Sequence, residues 1–279
     1  MKQKIILFFL GILAAAACYP IIFLIAGSLM GYQELGAYLA PVLGEAKGFA
    51  GWTLFPMYPT LRGYVELLLD SPSFFIMFWN SAAITGGILV GQLLTGVTAA
   101  WGFARYQFPG KRVLFTIYIA LMMMPFQVTM LSSYLILNKL ELLNTHWALI
   151  LPGAFSTFSV FLMYRFFTSI PEAVIESARL DGAGEWQIFW HIGLPLGSGG
   201  IVSAMVLGFL ECWNLIEQPL TFLKDRSLWP LSLYLPEISL QDAAMAFAAS
   251  VITLAPALFV FLAGQDYLEQ GIVAAAVKE

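Results

Sequence analysis

Six long runs without a charged residue constrain this 279-residue chain more than any other feature. A run of about 18 or more mostly apolar residues is long enough to cross a bilayer as a helix. Because lipid offers the backbone no hydrogen-bond partners, each run is expected to be helical. The sequence therefore predicts an all-α, polytopic membrane protein with six transmembrane helices. The runs cover residues 5–30, 81–104, 113–137, 147–164, 192–210 and 243–265.

Composition and charge narrow the class further. Hydrophobic residues make up 60% of the chain and charged residues 11%, against about 25% charged in soluble domains. The net charge of −4 is thinly spread, and no basic block is present, so a nucleic-acid partner is not expected. Cys18 and Cys212 lie in or beside the runs, which favours small buried residues over a disulfide framework or a metal site. Membrane lipid is the expected surrounding.

The first run allows two interpretations. Its basic start and the small residues before Cys18 resemble a bacterial lipoprotein signal. The apolar run nevertheless continues to Met30, which is longer than a signal core, and five further runs follow. We therefore expect a first anchor helix that is retained, with a cleaved signal as the alternative.

Lysine and arginine predict the orientation, because short loops rich in these residues favour the cytoplasm. With the N-terminus inside, eight of them fall on the cytoplasmic side and five outside. The bias is clearest in the short basic loop "RYQFPGKR". Both termini are therefore predicted to be cytoplasmic.

A polar stretch, "PEAVIESARLDGAGEWQIFWHIGLPL", interrupts the apolar runs at residues 171–196. Ser169 is predicted to cap a helix and to form a capping box with Glu172, and Pro171 fits the first turn. The helix is expected to run to about Leu180 and to end at Asp181-Gly182, where glycine can adopt the left-handed conformation. A second short helix, at about 184–191, should lead into the next span.

The first of these helices is too short to cross a membrane. A short capped helix on the cytoplasmic side is suited to docking in the groove of a protein partner. The alternative is an amphipathic connector that lies on lipid headgroups, which the scarcity of Lys and Arg disfavours. One side of the helix carries small residues that permit a close approach, namely Ala173, Ser177, Ala178, Gly182 and Ala183.

The spacing within residues 176–195 resembles the signature of the inner-membrane permease subunits of ABC importers. That signature reads E-A-A, three residues, G, nine residues, I-x-L-P. Every position agrees, except that Ser177 stands in place of an alanine. The matching residues are Glu176, Ser177, Ala178, Gly182, Ile192, Leu194 and Pro195.

Other segments resemble the carbohydrate branch of these permeases, and within it the smaller permease of maltose-type systems. They are "YPTLRGYVELL", the segment from "NSAAITGG" through "FARYQFPGKR", "CWNLIEQPLTFL" and the tail "GQDYLEQGIVAAAVKE". In the tail, Gln265, Gly271 and Lys278 fit, whereas Ala275 replaces the usual glycine. The resemblance covers about residue 55 to the end.

The resemblance implies a type I ABC importer permease in a bacterial inner membrane, importing a sugar or oligosaccharide. Its partners would be a second permease of a different chain, two ATPase subunits that hold ATP and Mg, and an extracellular solute-binding protein. Residues 1–74 would form the first helix and an extracellular segment, and residues 75–279 the permease core, with a cytoplasmic coupling loop at 167–191. The helix around 172–184 would dock on an ATPase. The residues implied in coupling are Glu172, Glu176, Ser177, Ala178, Asp181, Gly182, Ala183, Leu194 and Pro195.

No catalytic or cofactor site is predicted on this chain itself. The phosphate loop G-x-x-x-x-G-K-[ST] is absent, because Arg112 follows Gly110-Lys111 and Arg105 stands where the first glycine is required. His146 and His191 have no set of metal ligands at suitable spacing. ATP hydrolysis is therefore expected on a partner chain.

Polar side chains in or beside the runs are candidates for the substrate pathway, because such groups usually face a cavity or a neighbouring helix. Glu211 could accept hydrogen bonds from sugar hydroxyls, with Trp213 or a nearby phenylalanine stacked on the sugar. The alternative is hydrogen bonding between helices. Pro125 is expected to kink its span. The candidates are Gln92, Gln127, Glu211, Trp213 and Asn214.

Two further functions stay open beside sugar import. The same architecture could import glycerol phosphate or another polar solute, although an anionic solute favours Lys or Arg in the pore and the runs contain none. An ion-coupled secondary transporter would require charges at mid-span and discontinuous helices in matched halves. The near absence of such charges disfavours that class.

Overall fold

The protein is described by a computed structural model that covers residues 2–42, 47–49, 55–234 and 242–276. Within these residues, every regular element is helical. Lys278 of the predicted tail lies outside them. The chain divides into two compact units, one of Met1–Ile76 with Tyr234–Pro256, and one of Met77–Leu233 with Ala257–Glu279.

Thirteen α-helices are described, and two of them, Arg62–Val65 and Glu185–Ile188, have only four residues because each continues directly into a π-helical turn. The first four are α1 Lys2–Ser28, α2 Tyr32–Leu39, α3 Arg62–Val65 and α4 Pro72–Arg105. The next four are α5 Lys111–Met122, α6 Phe126–Lys139, α7 Trp147–Ala154 and α8 Thr157–Ser169. The last five are α9 Glu172–Leu180, α10 Glu185–Ile188, α11 Leu194–Trp213, α12 Glu217–Phe222 and α13 Ala243–Ala276.

Five helical segments in the described residues are long and apolar enough to cross a membrane. A sixth is present if α5 and α6, which are bent by 105° at a short break, count as one span. The prediction of an all-helical protein with several membrane-spanning helices is confirmed. The five are Ile6–Ser28, Pro72–Arg105, Trp147–Ser169, Glu185–Trp213 and Ala243–Leu268.

Two of the apolar runs are interrupted within the span, although Trp147–Ser169 still counts as one candidate span and α5 with α6 as a bent one. The run at 113–137 breaks before Pro125, because proline lacks an N–H and disfavours helical backbone at the preceding residue. The kink expected at Pro125 is thereby confirmed. The run at 147–164 breaks after α7, and the Ser156 side chain then caps α8 by accepting a hydrogen bond from the Ser159 N–H.

In the first unit, the end of α1 and the helix α2 share a small core with the start of α13. Ala26, Met30, Leu35 and Ala244 are all buried in it.

The second membrane run begins earlier than predicted, since α4 starts at Pro72 rather than near residue 81.

In the second unit, glycines on α11 and just before it allow neighbouring aromatic rings to approach closely. A Cβ atom at Gly197 would lie 2.2 Å from the Phe167 ring, and one at Gly200 would lie 2.5 Å from Phe166. A Cβ atom at Gly193 would lie 2.6 Å from Trp101. These glycines let α11 pack directly against α8 and α4, and this packing supports the loop that contains α9.

Candidate coupling loop and solute cavity

The loop helix α9 spans Glu172–Leu180, so its predicted end near Leu180 is confirmed. Its predicted capping box is wrong. Ser169 remains in the last turn of α8, where its Oγ donates to the Phe166 carbonyl, and Pro171 occupies the N-cap position without a side-chain hydrogen bond. Because α8 continues through Ser169, this residue is helical and cannot also cap α9.

The C-terminus of α9 closes in the predicted glycine turn. Gly182 has φ of +84°, and its N–H donates to the Arg179 carbonyl at 3.0 Å, while the Ala183 N–H donates to the Ala178 carbonyl at 3.0 Å. This pair of bonds is the Schellman arrangement. A Cβ atom at Gly182 would meet nothing within 4 Å, so glycine is required there for its backbone conformation and not for space.

The predicted second helix is not a separate element. From Glu185 the chain is helical through a π-helical turn at Phe189–Gly193 and on to Trp213 as one span. Pro195 does not end it, because the wider π turn just before it accommodates the missing N–H. Leu194 and Pro195 therefore belong to the start of α11.

Arg105, the last residue of α4, fastens the start of the loop. Its side chain is only 6% exposed, and one nitrogen, Nη1, lies 2.9 Å from Glu172 Oε2. The other, Nη2, donates to the carbonyls of Phe167 and Ile170 at 2.7 Å each, and the guanidinium lies over the Trp101 ring. One buried cation thus joins the ends of α4 and α8 to the first residue of α9.

The ion pairs continue along the loop. Arg179 Nε lies 2.9 Å from Glu185 Oε1, and Arg179 Nη1 lies 3.6 Å from Glu172 Oε1. The hydrogen bond with Glu185, assisted by the negative charges of Glu185 and Glu172, raises the pKa of the Arg179 guanidinium above its usual value. We call Arg105, Glu172, Arg179 and Glu185 the charge chain. It connects both ends of α9 to the flanking helices.

Buried apolar residues anchor the inner face of the loop, whereas its outer face is exposed and carries both polar and apolar side chains. Ile175 of α9 and Ile188 of α10 are fully buried in a core shared with α4, α8 and α11. On the opposite side, Leu180 is 89% exposed and Trp186 is 67% exposed. A helix anchored on one face and exposed on the other is available for a partner.

The residues implied in coupling are mostly placed together by this loop. Ala178, Ala183 and Leu194 are partly buried, and Pro195 is exposed at the start of α11. Beside the end of α9, a cavity of about 360 Å³ is bordered by Asp181, Gly182 and Ala183, with Gln187 and His191 opposite. The exposed members on the loop itself are Glu172, Glu176, Ser177, Asp181 and Gly182.

A second cavity, of about 480 Å³, lies within the same unit, and we call it the solute cavity. Residues of α4, α5, α6, α7, α8, α11 and α12 line it, together with Met124 in the break between α5 and α6. The bend at Pro125 and the short helix α12 shape its walls. Its volume is within the range of about 300–1,000 Å³ that is usual for small-molecule sites.

Two of the five predicted pathway residues line the solute cavity, namely Gln92 and Glu211. Gln92 is buried and its amide is engaged within the protein. It donates to the Gly153 carbonyl at 3.0 Å and accepts from Ser159 Oγ at 2.9 Å. Gln92 thus connects α4 to α7 and α8 at the cavity wall.

The other three predicted pathway residues are placed beside the cavity's elements and not among its lining residues. Gln127 donates to both carboxylate oxygens of Glu217 at 2.7 Å, which joins α6 to α12. Trp213 is buried and stacks on Phe209, and Asn214 donates to the carbonyl of the preceding helical turn.

Sequence reasoning missed the structural role of Arg105, which it used only to assign orientation and to exclude a phosphate loop, and the cavity side chains of α6 and α12. An arginine directly after an apolar run and within a basic loop is typical of a surface charge. The helix α12 has six residues, too few for a periodic pattern, so its return toward α6 is visible only in three dimensions.

Apolar helices around a cavity with a few polar groups in its wall, with a rigidly held loop helix displayed outside them, make up the architecture of a multi-pass membrane transport subunit. The chain belongs to the family described as the binding-protein-dependent transport system inner membrane component, whose family model matches residues 92–274.

Relatives and a solved structure agree with this assignment. The arabinooligosaccharides transport system permease protein AraQ of Halalkalibacterium halodurans is 28% identical over 226 residues, which cover 80% of this chain and 81% of AraQ. The sn-glycerol-3-phosphate transport system permease protein UgpE of Yersinia enterocolitica is 27% identical and covers 73% of this chain and 74% of its own. The fold is similar to that of a chain in a bacterial ABC transporter involved in the import of the acidic polysaccharide alginate, with a TM-score of 0.78, 24% identity, and coverage of 95% of this chain and 96% of that one.

Proposed function

We propose that this chain is a pore-forming permease subunit of an ATP-driven importer of a sugar or oligosaccharide. Family membership and the similarity to AraQ support the proposal. The observation that carries it is α9, a short helix fixed at both ends and exposed on its outer face. Such a helix can pass the motion of a docked partner to the membrane helices.

In this mechanism, two ATPase subunits bind ATP and Mg and dock against the exposed face of α9. Because the charge chain and the buried Ile175 join α9 to its neighbours, a displacement of α9 moves the ends of α4, α8 and α11 with it. Rigid-body motion of this kind is an established switching device. This chain supplies the lever and part of the pore, and the energy-yielding chemistry belongs to the partner.

The membrane arrangement follows from the same proposal. The termini and the α9 loop face the cytoplasm, and a second permease of a different chain completes the pore. A solute-binding protein delivers the sugar at the outer face. A solved structure with a fold like that of this chain contains an alginate-bound periplasmic protein in complex with its transporter, which supports a partner of this kind.

The second candidate is import of glycerol phosphate or another polar solute, which the similarity to UgpE supports. An ion-coupled secondary transporter is a weaker alternative, because α9 would then have no partner to receive. An ATP-driven importer of either solute requires an ATPase, whereas an ion-coupled secondary transporter does not.

The test is to purify the chain together with its candidate partners and to measure ATP hydrolysis after reconstitution. An ATPase should co-purify, and a sugar presented by the solute-binding protein should stimulate its activity. Gly182→Trp should abolish ATPase association, because a bulky L-residue at φ of +84° distorts the end of α9. Gly36→Trp is the matched control, since Gly36 lies in α2 with nothing within 4 Å of its Cβ position. Normal transport by Gly182→Trp would contradict the docking role of α9.

A further inference from the structure

The solute cavity contains a single charged side chain among the described residues that line it, and this is Glu211. No Lys, Arg or His borders the cavity in this part of the chain. The Glu211 carboxylate forms no hydrogen bond or ion pair with any other described residue. The cavity therefore presents one uncompensated negative charge to whatever enters it.

The remaining polar groups of the cavity are neutral. Thr129 and Ser133 contribute hydroxyls from α6, and Gln218 contributes an amide from α12. Hydroxyl groups both donate and accept hydrogen bonds, whereas a carboxylate only accepts them. Together these groups match a ligand with many hydroxyls, because each sugar hydroxyl can donate to Glu211 or exchange bonds with Thr129, Ser133 and Gln218.

Aromatic rings provide the apolar part of the lining. Phe126, Phe155, Phe158 and Phe222 all border the cavity. Amphipathic ligands with an apolar face and polar edges suit a cavity of this composition, in which a few polar groups set the orientation within an apolar wall.

A second carboxylate adds to the negative character of this region. Glu217 lies next to Gln218 on α12, and its oxygens accept hydrogen bonds from the neutral amide of Gln127 rather than from a cation. Neither acid is therefore paired with a positive charge. An anionic solute would approach Glu211 in the cavity and Glu217 beside it, and like charges repel.

We propose that the solute cavity selects an uncharged, hydroxyl-rich saccharide, and that Glu211 acts as a specificity residue that binds its hydroxyls and excludes phosphorylated or acidic sugars. The inference rests on the proposed import function and deepens it. Specificity of this kind works by disfavouring the wrong ligand as well as by binding the right one. It separates this chain from UgpE, whose name specifies glycerol phosphate.

The charge preference can be measured without knowing the sugar. Single cysteines are introduced as Ser133→Cys or Thr129→Cys in a chain that carries Cys18→Ser and Cys212→Ser, within the full complex. The rates of modification by cationic ethylammonium and anionic ethylsulfonate methanethiosulfonate reagents are then compared, relative to a free thiol. We expect the cationic reagent to be favoured, and Glu211→Gln to reduce that preference by on the order of tenfold.

Glu141→Gln serves as the control, because Glu141 is an acid in the second unit that does not line the cavity. It should leave the preference unchanged. An equal effect of the two substitutions, an anionic preference in the parent chain, or no reaction at either cysteine would overturn the assignment of Glu211.

A solute panel completes the test in the reconstituted importer with its binding protein. Neutral probes such as maltotriose and xylotriose are compared with trigalacturonate and glycerol 3-phosphate as stimulators of ATP hydrolysis. Stimulation by neutral saccharides alone supports the inference, and stimulation by an anionic probe overturns it. Failure of any ATPase to co-purify would instead contradict the proposed function, while the reagent preference at Glu211 could still be measured.

Discussion

The loop around α9 and the solute cavity use polar residues in opposite ways. In the loop, carboxylates and guanidinium groups alternate, and each member of the charge chain has a partner of opposite sign. In the cavity, Glu211 has no such partner among the residues that the structure describes, and the buried amide of Gln92 is satisfied by neighbouring helices. Paired charges hold an element in place, whereas an unpaired group is available to a ligand. The difference supports the proposed mechanical role of the first region and the proposed binding role of the second.

The largest effect is expected from a substitution that disrupts the packing of α11 against α8, on which both regions depend. In Gly197→Leu the new side chain would overlap the Phe167 ring, since even a Cβ atom lies 2.2 Å from it. Overpacking of this kind costs about 1–3 kcal/mol or more, and we expect a marked fall in the melting temperature of the detergent-solubilised chain. Gly102→Leu, on α4 with nothing within 4 Å of its Cβ position, is the matched control. Equal melting temperatures of the two variants would show that the α8–α11 contact does not stabilise the fold.

The next effect separates the two regions. Arg105→Gln leaves Glu172 without its buried partner and deprives the Phe167 and Ile170 carbonyls of a donor. Because Glu172 is largely open to solvent, the cost comes mainly from the two carbonyls that lose a charged donor, about 1.5–3 kcal/mol. We expect sugar-stimulated ATP hydrolysis to be lost while the reagent preference at the solute cavity is retained.

Arg112→Gln is the control for that experiment, because Arg112 lies in the same basic segment and has no ion pair in the described residues. It should preserve coupling. Full stimulation by Arg105→Gln would contradict the proposal that the buried Arg105 couples α9 to α4 and α8.

A smaller effect sharpens the distinction within the cavity. Gln92→Leu leaves the Gly153 carbonyl and the Ser159 hydroxyl without their partner, which costs about 1–3 kcal/mol. We expect lower thermal stability with little change in the sugar concentration that gives half-maximal stimulation. Glu211→Gln should show the reverse pattern. A large shift in that concentration for Gln92→Leu would make Gln92 a ligand rather than part of the wall.

The smallest effect concerns the exposed end of the charge chain. Arg179→Gln removes the ion pairs with Glu185 and Glu172, both of which are open to solvent. Exposed pairs contribute little and are screened by salt. We expect a slight loss of coupling at low ionic strength that disappears in high salt, measured as sugar-stimulated ATP hydrolysis. A loss of coupling as large as that of Arg105→Gln would show that burial does not determine how much each ion pair of the charge chain contributes to coupling.

Much of the fold could be predicted from the sequence because its signals are local. A long uncharged run specifies a membrane helix by its length and polarity alone. The end of α9 was predictable because glycine after an aspartate permits the left-handed turn seen at Gly182. The capping box at Ser169 failed for a related reason, since two adjacent helices competed for that residue and the sequence does not rank them.

The site was predictable only in part. The residues implied in coupling lie within one stretch, so their proximity follows from the chain itself. The cavity combines Gln92, Ser133, Glu211 and Gln218 from four helices, and no sequence spacing relates them. Trp213 and Asn214 come two and three residues after Glu211, yet they lie off the cavity lining because side chains at nearby positions of a helix point to different sides.

By itself, the sequence determined the helical membrane class, the position of the loop helix and its glycine stop, because each depends on residues a few positions apart. Only the tertiary structure decided that Arg105 is a buried anchor, that Gln92 belongs to a wall, and that Glu211 is the one charged side chain among the described residues that line a cavity. The physical reason is that burial and partnership depend on what other segments place nearby. A charge acquires its role from its neighbours in space, which lie up to 67 residues away along the chain for Arg105 and Glu172.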